Sequence, residues 1–208
     1  MDAPLEKIDG EAPAAVAGEL YVVPHDLTKS TGLVKIDLNA LTLYQQKRAD
    51  EGSDYGERKK SDKQNEHARD WLQIVPRDGE VTAAQAEANR WVEFKLEKLE
   101  TATPDLNQLS GDERKVSATV SGDFRLHGRK AKKSAKLALV FKYAGDKLES
   151  LAVKTVEPVA INLAEFEVHP RDASGKFVKS VTEVIASNLK GKLSNEAPIE
   201  FEFVAKAK

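Results

Sequence analysis

The feature that most constrains this chain is one uninterrupted run of alternation from Val116 to Leu126. Val116, Ala118, Val120, Gly122, Phe124 and Leu126 alternate with Ser117, Thr119, Ser121, Asp123 and Arg125. Successive side chains of a strand point to opposite faces, so this run has one apolar and one wet face. It is long for a globular strand, and of a length that a barrel strand can use.

The same period recurs along the chain. Val34, Ile36 and Leu38 alternate with Lys35 and Asp37, and Val92, Phe94 and Leu96 with Glu93, Lys95 and Glu97. Leu137, Leu139, Phe141 and Tyr143 lead to Gly145-Asp146, a pair suited to a type II′ hairpin turn, and then to Leu151, Val153 and Thr155. These two runs are therefore expected to pair antiparallel. Val159, Ile161 and Leu163, then Phe166 and Val168, then Ile199, Phe201 and Phe203 follow, with Leu20 and Val22 as a weaker early strand. About eight strand candidates, each with one wet face, predict a mainly β fold, an antiparallel barrel.

Two segments break the two-residue period. Phe177, Val178, Val181, Val184 and Ile185 recur at helical spacing, which predicts an amphipathic helix over 176–187. A short helix is expected from Asn65 through Trp71 and Leu72. The stretch 45–63, rich in Lys, Arg, Asp, Glu and Gly, reads as a charged, mobile loop. A chain of 208 residues can bury one sizeable core, so 1–208 reads as a single domain.

Composition narrows the function. A net charge of −2 provides no global field to gather nucleic acid or an anionic membrane. Zero cysteines exclude disulfides, thiolate nucleophiles and cysteine metal sites. No apolar stretch approaches the roughly 20 residues of a membrane-spanning helix, and Met1-Asp2-Ala3-Pro4 is not a signal peptide. The histidines, His25, His67, His127 and His169, are scattered, with no pair at metal-ligand spacing. There is no Gly-x-Ser-x-Gly elbow and no phosphate-cradling glycine loop. Arg129, Lys130, Lys132, Lys133 and Lys136 form a basic run, but it lacks the interleaved aromatics of base stacking and reads as a solvated hairpin connection. These observations argue for a binding protein and against an enzyme. Catalysis by His67 or His127 would require that imidazole to face a cavity beside a second polar group.

The segment Val120-Ser121-Gly122-Asp123-Phe124-Arg125-Leu126-His127-Gly128-Arg129-Lys130 resembles the hallmark of the YceI-like family, a strand ending in Leu-x-Gly-x-x-Lys-like residues. Before it stand residues 32–41, like the family's strand ending in Asp-Leu-x-x-Leu, and His67-Ala68-Arg69-Asp70-Trp71-Leu72, like its short histidine-containing helix. After it, residues 161–168 look like the family's late strand with its acidic-aromatic pair, here Glu165-Phe166. The resemblance covers residues 18 to 170. It implies a lipocalin-like, eight-stranded antiparallel barrel, usually exported to the bacterial periplasm, that binds an isoprenoid or related amphiphile in its lumen, often as a homodimer. No cofactor is implied beyond such a bound lipid. The chain departs from the family in the length and charge of 45–63, in the 176–187 helix, and in lacking a recognisable first strand. Residues 5–23 or a second subunit are expected to cover the edge so exposed.

Aromatic residues on alternating strands read, on their own, as plain core. The resemblance implies instead that Ile36, Leu38, Leu41, Leu43, Trp71, Leu72, Val92, Phe94, Leu96, Phe124, Leu126, Leu139, Phe141, Val153, Ile161 and Phe166 line a lipid-binding lumen, with Trp71 at its mouth. An eight-stranded barrel is about wide enough either to hold one ligand or to be filled by its own side chains. The alternative is thus a filled barrel acting through its charged loops.

Overall fold

The structure, a computed structural model, describes residues 2, 3, 5–169 and 196–208. β1 (Asp2–Ala3) and β2 (Glu6–Glu11) open the chain, and β3 (Val16–Tyr21) follows a bend at Ala14. β4 (Thr31–Asp37) and β5 (Thr42–Lys47) flank a 3-10 turn, Leu38–Ala40, capped by the Asp37 carboxylate, which accepts from the Asn39 amide. Next come β6 (Lys59–Lys60), α1 (Asp62–Leu72), α2 (Ala83–Asn89) and β7 (Trp91–Thr101). β8 (Glu113–Leu126), β9 (Arg129–Ala144) and β10 (Lys147–Thr155) form a long meander. β11 (Val159–Asn162), β12 (Glu196–Ile199) and β13 (Glu202–Lys206) complete the described strands.

Seven strands form one antiparallel sheet in the order β13-β10-β9-β8-β7-β4-β3, curled into a nearly closed barrel. Both edges continue past a kink into a ribbon. β2 pairs β5 where β3 pairs β4, and β11 pairs β12 beyond the β10–β13 pairing. The expected lipocalin-like barrel is therefore present, and within the residues 5–23 expected to cover its edge, β3 pairs with β4 and takes in Leu20 of the weak early strand, while β2 pairs with β5. Glu19 on β3 meets Lys208, just beyond β13, at 2.6 Å across the seam between the two edge strands.

The turns follow from local chemistry. Leu126 stands opposite Arg129, leaving His127-Gly128 as a two-residue turn with φ of 49° and 71°, the positive pair that type I′ requires. Gly145 has φ 61° while Asp146 stays out of the positive range, which fits the expected type II′ turn. In β7 the register shifts between Leu96 and Lys98, a bulge that keeps Leu99 facing inward. The opposite strand answers with Gly122, where a Cβ would stand 2.0 Å from the Lys95 carbonyl oxygen.

Several expectations are corrected. The stretch 45–63 is not one loop: its start belongs to β5, Lys59–Lys60 pair with Tyr44 and Gln45, and α1 begins at Asp62. The basic run is not a hairpin connection but the first half of β9, and Arg129, Lys132, Lys133 and Lys136 are each ion-paired to a carboxylate. Leu163–Phe166 form a 3-10 turn rather than a strand, because Asn162 caps it and Glu167 ends it in the left-handed region. Helix α2 was not anticipated, although Thr82 and Gln85 form a reciprocal capping box visible in the sequence. The helix expected at 176–187 lies outside the described residues.

Candidate functional site

The interior of the barrel is built from two apolar clusters. One lies at the end where two loops exchange hydrogen bonds, Leu27 N to Pro104 O at 2.7 Å and Leu106 N to Pro24 O at 2.8 Å. Each loop drives a fully buried leucine, Leu27 and Leu106, into the barrel as a plug, packed with Leu99, Val116, Leu139 and Phe141. The other cluster lies at the helix end, where Leu72 and Ile74 meet Val92, Leu126, Ile161 and Phe166. Phe166 is 0% exposed and packs edge-on against Phe124, centroids 5.4 Å apart.

The predicted wall divides by burial. Leu72, Val92, Leu126, Leu139, Phe141, Val153, Ile161 and Phe166 are buried, whereas Ile36, Leu38, Leu41, Leu43, Trp71, Phe94, Leu96 and Phe124 are only half-buried. Phe94 stands directly opposite Phe124, yet packs against the plug-end cluster while Phe124 packs against the helix-end one. Phe94, Leu96 and Phe124, at the waist between the two packed ends, are thus apolar, inward-facing and only half-buried. Leu43 joins neither cluster: its backbone is held by Asn65 of α1, whose amide accepts from Leu43 N at 2.8 Å and donates to Leu43 O at 2.9 Å. Sequence reasoning missed Val34, which pairs with Phe94 and continues the inner face of β4, and the plugging residues Leu27 and Leu106, which sit in loops with no period to betray them.

Two surface cavities, about 210 and 310 Å³, lie outside this wall. The smaller gathers Gln73, His127 and Glu167, three of the four non-glycine residues with positive φ among the described residues. His127 holds them together, bonding the Phe166 carbonyl through Nδ1 at 3.0 Å and the Gln73 side-chain amide through Nε2 at 2.7 Å. Both partners are oxygens, the Phe166 carbonyl and Gln73 Oε1, so each ring nitrogen faces an acceptor. Both nitrogens are engaged, which leaves none for a substrate. His67 is stacked on Trp71, centroids 5.8 Å apart. Among the described residues no histidine and carboxylate groups converge as a metal cage, and no helix is long and apolar enough to cross a membrane.

Ion pairs stiffen the outer face. Arg90 grips Asp37 through two nitrogens at 2.8 and 2.6 Å, and this bond holds the Asp37 carboxyl below its ordinary pKa despite partial desolvation. Lys35 and Arg125 flank Glu93 and lower its pKa likewise, Lys35 contributing most.

The architecture defines the class: a lipocalin-like, nearly closed antiparallel barrel with an apolar inner face. More particularly, it is the fold of the YceI proteins. A YCEI protein from Campylobacter jejuni superposes with a TM-score of 0.55 at 12% identity, over 96% of this chain and 85% of that one. A mutant of that protein carrying a monobromobimane guest gives 0.54 at 11% identity, with the same coverage. A polyisoprenoid binding domain from Saccharophagus degradans, implicated in plant cell wall breakdown, covers 100% of this chain and 97% of its own at 14% identity, but its TM-score of 0.48 is too low to carry weight. No protein-family model and no curated protein sequence matches the chain.

Proposed function

We propose that this protein binds a long apolar lipid, an isoprenoid or fatty amphiphile, inside its barrel and carries or sequesters it without chemical change. The half-buried waist supports this reading: Phe94, Leu96 and Phe124 face inward, yet remain only partly covered by their own chain. Each ligand methylene buried there contributes about 0.8 kcal/mol, so a chain of about 15 carbons offers roughly 12 kcal/mol against association costs of about 4–15 kcal/mol. Chain length then matters more than head group for gross affinity. The sequence resemblance supports export to a bacterial periplasm and a homodimer.

A second reading is favoured by the two packed ends, which already fill much of the barrel: a structural protein working through its surface loops. Gentle purification from a bacterium, extraction with organic solvent and mass spectrometry separate the two. A stoichiometric long-chain species is expected; a clean extract from folded protein, with no uptake of added lipid, would favour the filled barrel. Phe124→Asp, which sets a charge in the apolar waist, is expected to abolish uptake while the protein still folds.

A further inference from the structure

We propose that Arg114 and Tyr143 form an anion site inside the plugged end of the barrel, which receives the carboxylate of a fatty-acid-like amphiphile head first. This rests on the lipid-binding reading and adds to it the ligand's head group and direction. Arg114 stands directly opposite Phe141, which is 1% exposed, and directly opposed residues of an antiparallel pair share a face. Arg114 therefore projects from the inner wall near the start of β8, where it is half-buried. Tyr143 lies two residues beyond Phe141 on the same face and is 9% exposed.

The two side chains are held together. The guanidinium carbon lies 4.0 Å from the Tyr143 ring centroid, and Nη1 donates to the Leu106 carbonyl at 3.1 Å. Arg114 Nε and Tyr143 Oη are nevertheless both buried without a hydrogen-bond partner. Such groups cost stability until something meets them. The charge is unmatched too. Arg58, Arg77, Arg90, Arg125 and Arg129 each pair with a carboxylate, whereas among the described residues none pairs with Arg114.

What would satisfy this constellation is an acceptor with one negative charge and two oxygens. A carboxylate takes one hydrogen bond from the guanidinium and one from the phenol, and its charge balances the arginine. A neutral alcohol matches the hydrogen bonds but not the charge, and a doubly charged phosphate exceeds it. With the head so placed, the hydrocarbon runs from this end toward the half-buried Phe94 and Phe124.

The test is equilibrium binding of palmitate, methyl palmitate and hexadecanol to the intact protein. Palmitate is expected to bind at least about tenfold tighter than either neutral analogue. Arg114→Gln should remove that preference, lowering palmitate affinity about tenfold and leaving hexadecanol unchanged, and Tyr143→Phe should lower palmitate affinity by a smaller factor. Equal binding of the three ligands by the unaltered protein, or full palmitate preference in a folded Arg114→Gln variant, would overturn the anion site while leaving the lipid reading intact. Binding of none of them would overturn both. The comparison within the unaltered protein needs no variant to fold.

Discussion

Gly122 shows how tightly one residue can be bound to the shape of a barrel. The bulge in β7 presses the Lys95 carbonyl toward β8, and any side chain at 122 meets it at 2.0 Å. Gly122→Ala is expected to cost about 1–3 kcal/mol in urea denaturation, the usual range for overpacking, and a neutral effect would show that the bulge is not held in solution. Asp37 acts through charge. Its folded-state pKa is depressed, chiefly by the hydrogen bonds from Arg90, so its contribution is present above the ordinary carboxylate range and is lost as pH falls through the folded value. Asp37→Asn should therefore lower stability by about 1–2 kcal/mol at pH 7. The gap should shrink as pH falls below about 4, where the unfolded chain takes up its proton first and the native carboxyl only at lower pH. A gap equal at pH 7 and pH 3 would show that the carboxylate's charge contributes nothing.

Among the elements, α1 is fastened to the sheet by a side chain that imitates a strand. Asn65 bonds both backbone groups of Leu43 and also donates to the Ser61 carbonyl at 2.8 Å. Asn65→Ala leaves the Leu43 groups without those partners and should cost about 1–3 kcal/mol, read by urea denaturation with Trp71 fluorescence as the local probe; an unchanged midpoint would mean that water replaces the amide without loss. Such a contact has no period, which separates what the sequence disclosed from what it hid. β4, β7, β8, β9 and β10 were legible because each has one face in the core and one in water, so burial wrote alternation into them. β2 was not, because Glu6, Lys7, Asp9 and Glu11 surround a lone Ile8 and its pairing with β5 is decided by backbone bonds. The late run through Phe166 misled for the opposite reason: the apolar residues are indeed buried, but a 3-10 turn buries them, not a strand. The apolar positions of the inner face were legible, while their uneven burial depends on distant loops. Arg114 lay hidden in plain view, since only the register opposite Phe141 shows that it points inward.

At the scale of the whole molecule the barrel is strongest opposite its seam. β8 and β9 pair continuously from Glu113 with Lys142 to Leu126 with Arg129, and each has a further neighbour in the sheet. β3 and β13 are its two edges, and exposed ion pairs such as Lys208 with Glu19 hold weakly and are screened by salt. A lipid that enters the waist has its easiest path where the fewest backbone bonds must open, which is between those edges. Amide hydrogen exchange should therefore be fastest in β3 and β13 and slowest in β8 and the second half of β9. Bound palmitate should slow the edge strands by at least about tenfold, since a ligand that contacts the closed barrel withdraws population from the open one. Protection of β8 and β9 alone would place the lipid's path at a barrel end instead, and slow exchange in β3 and β13 without ligand would mean that the seam is already shut in solution.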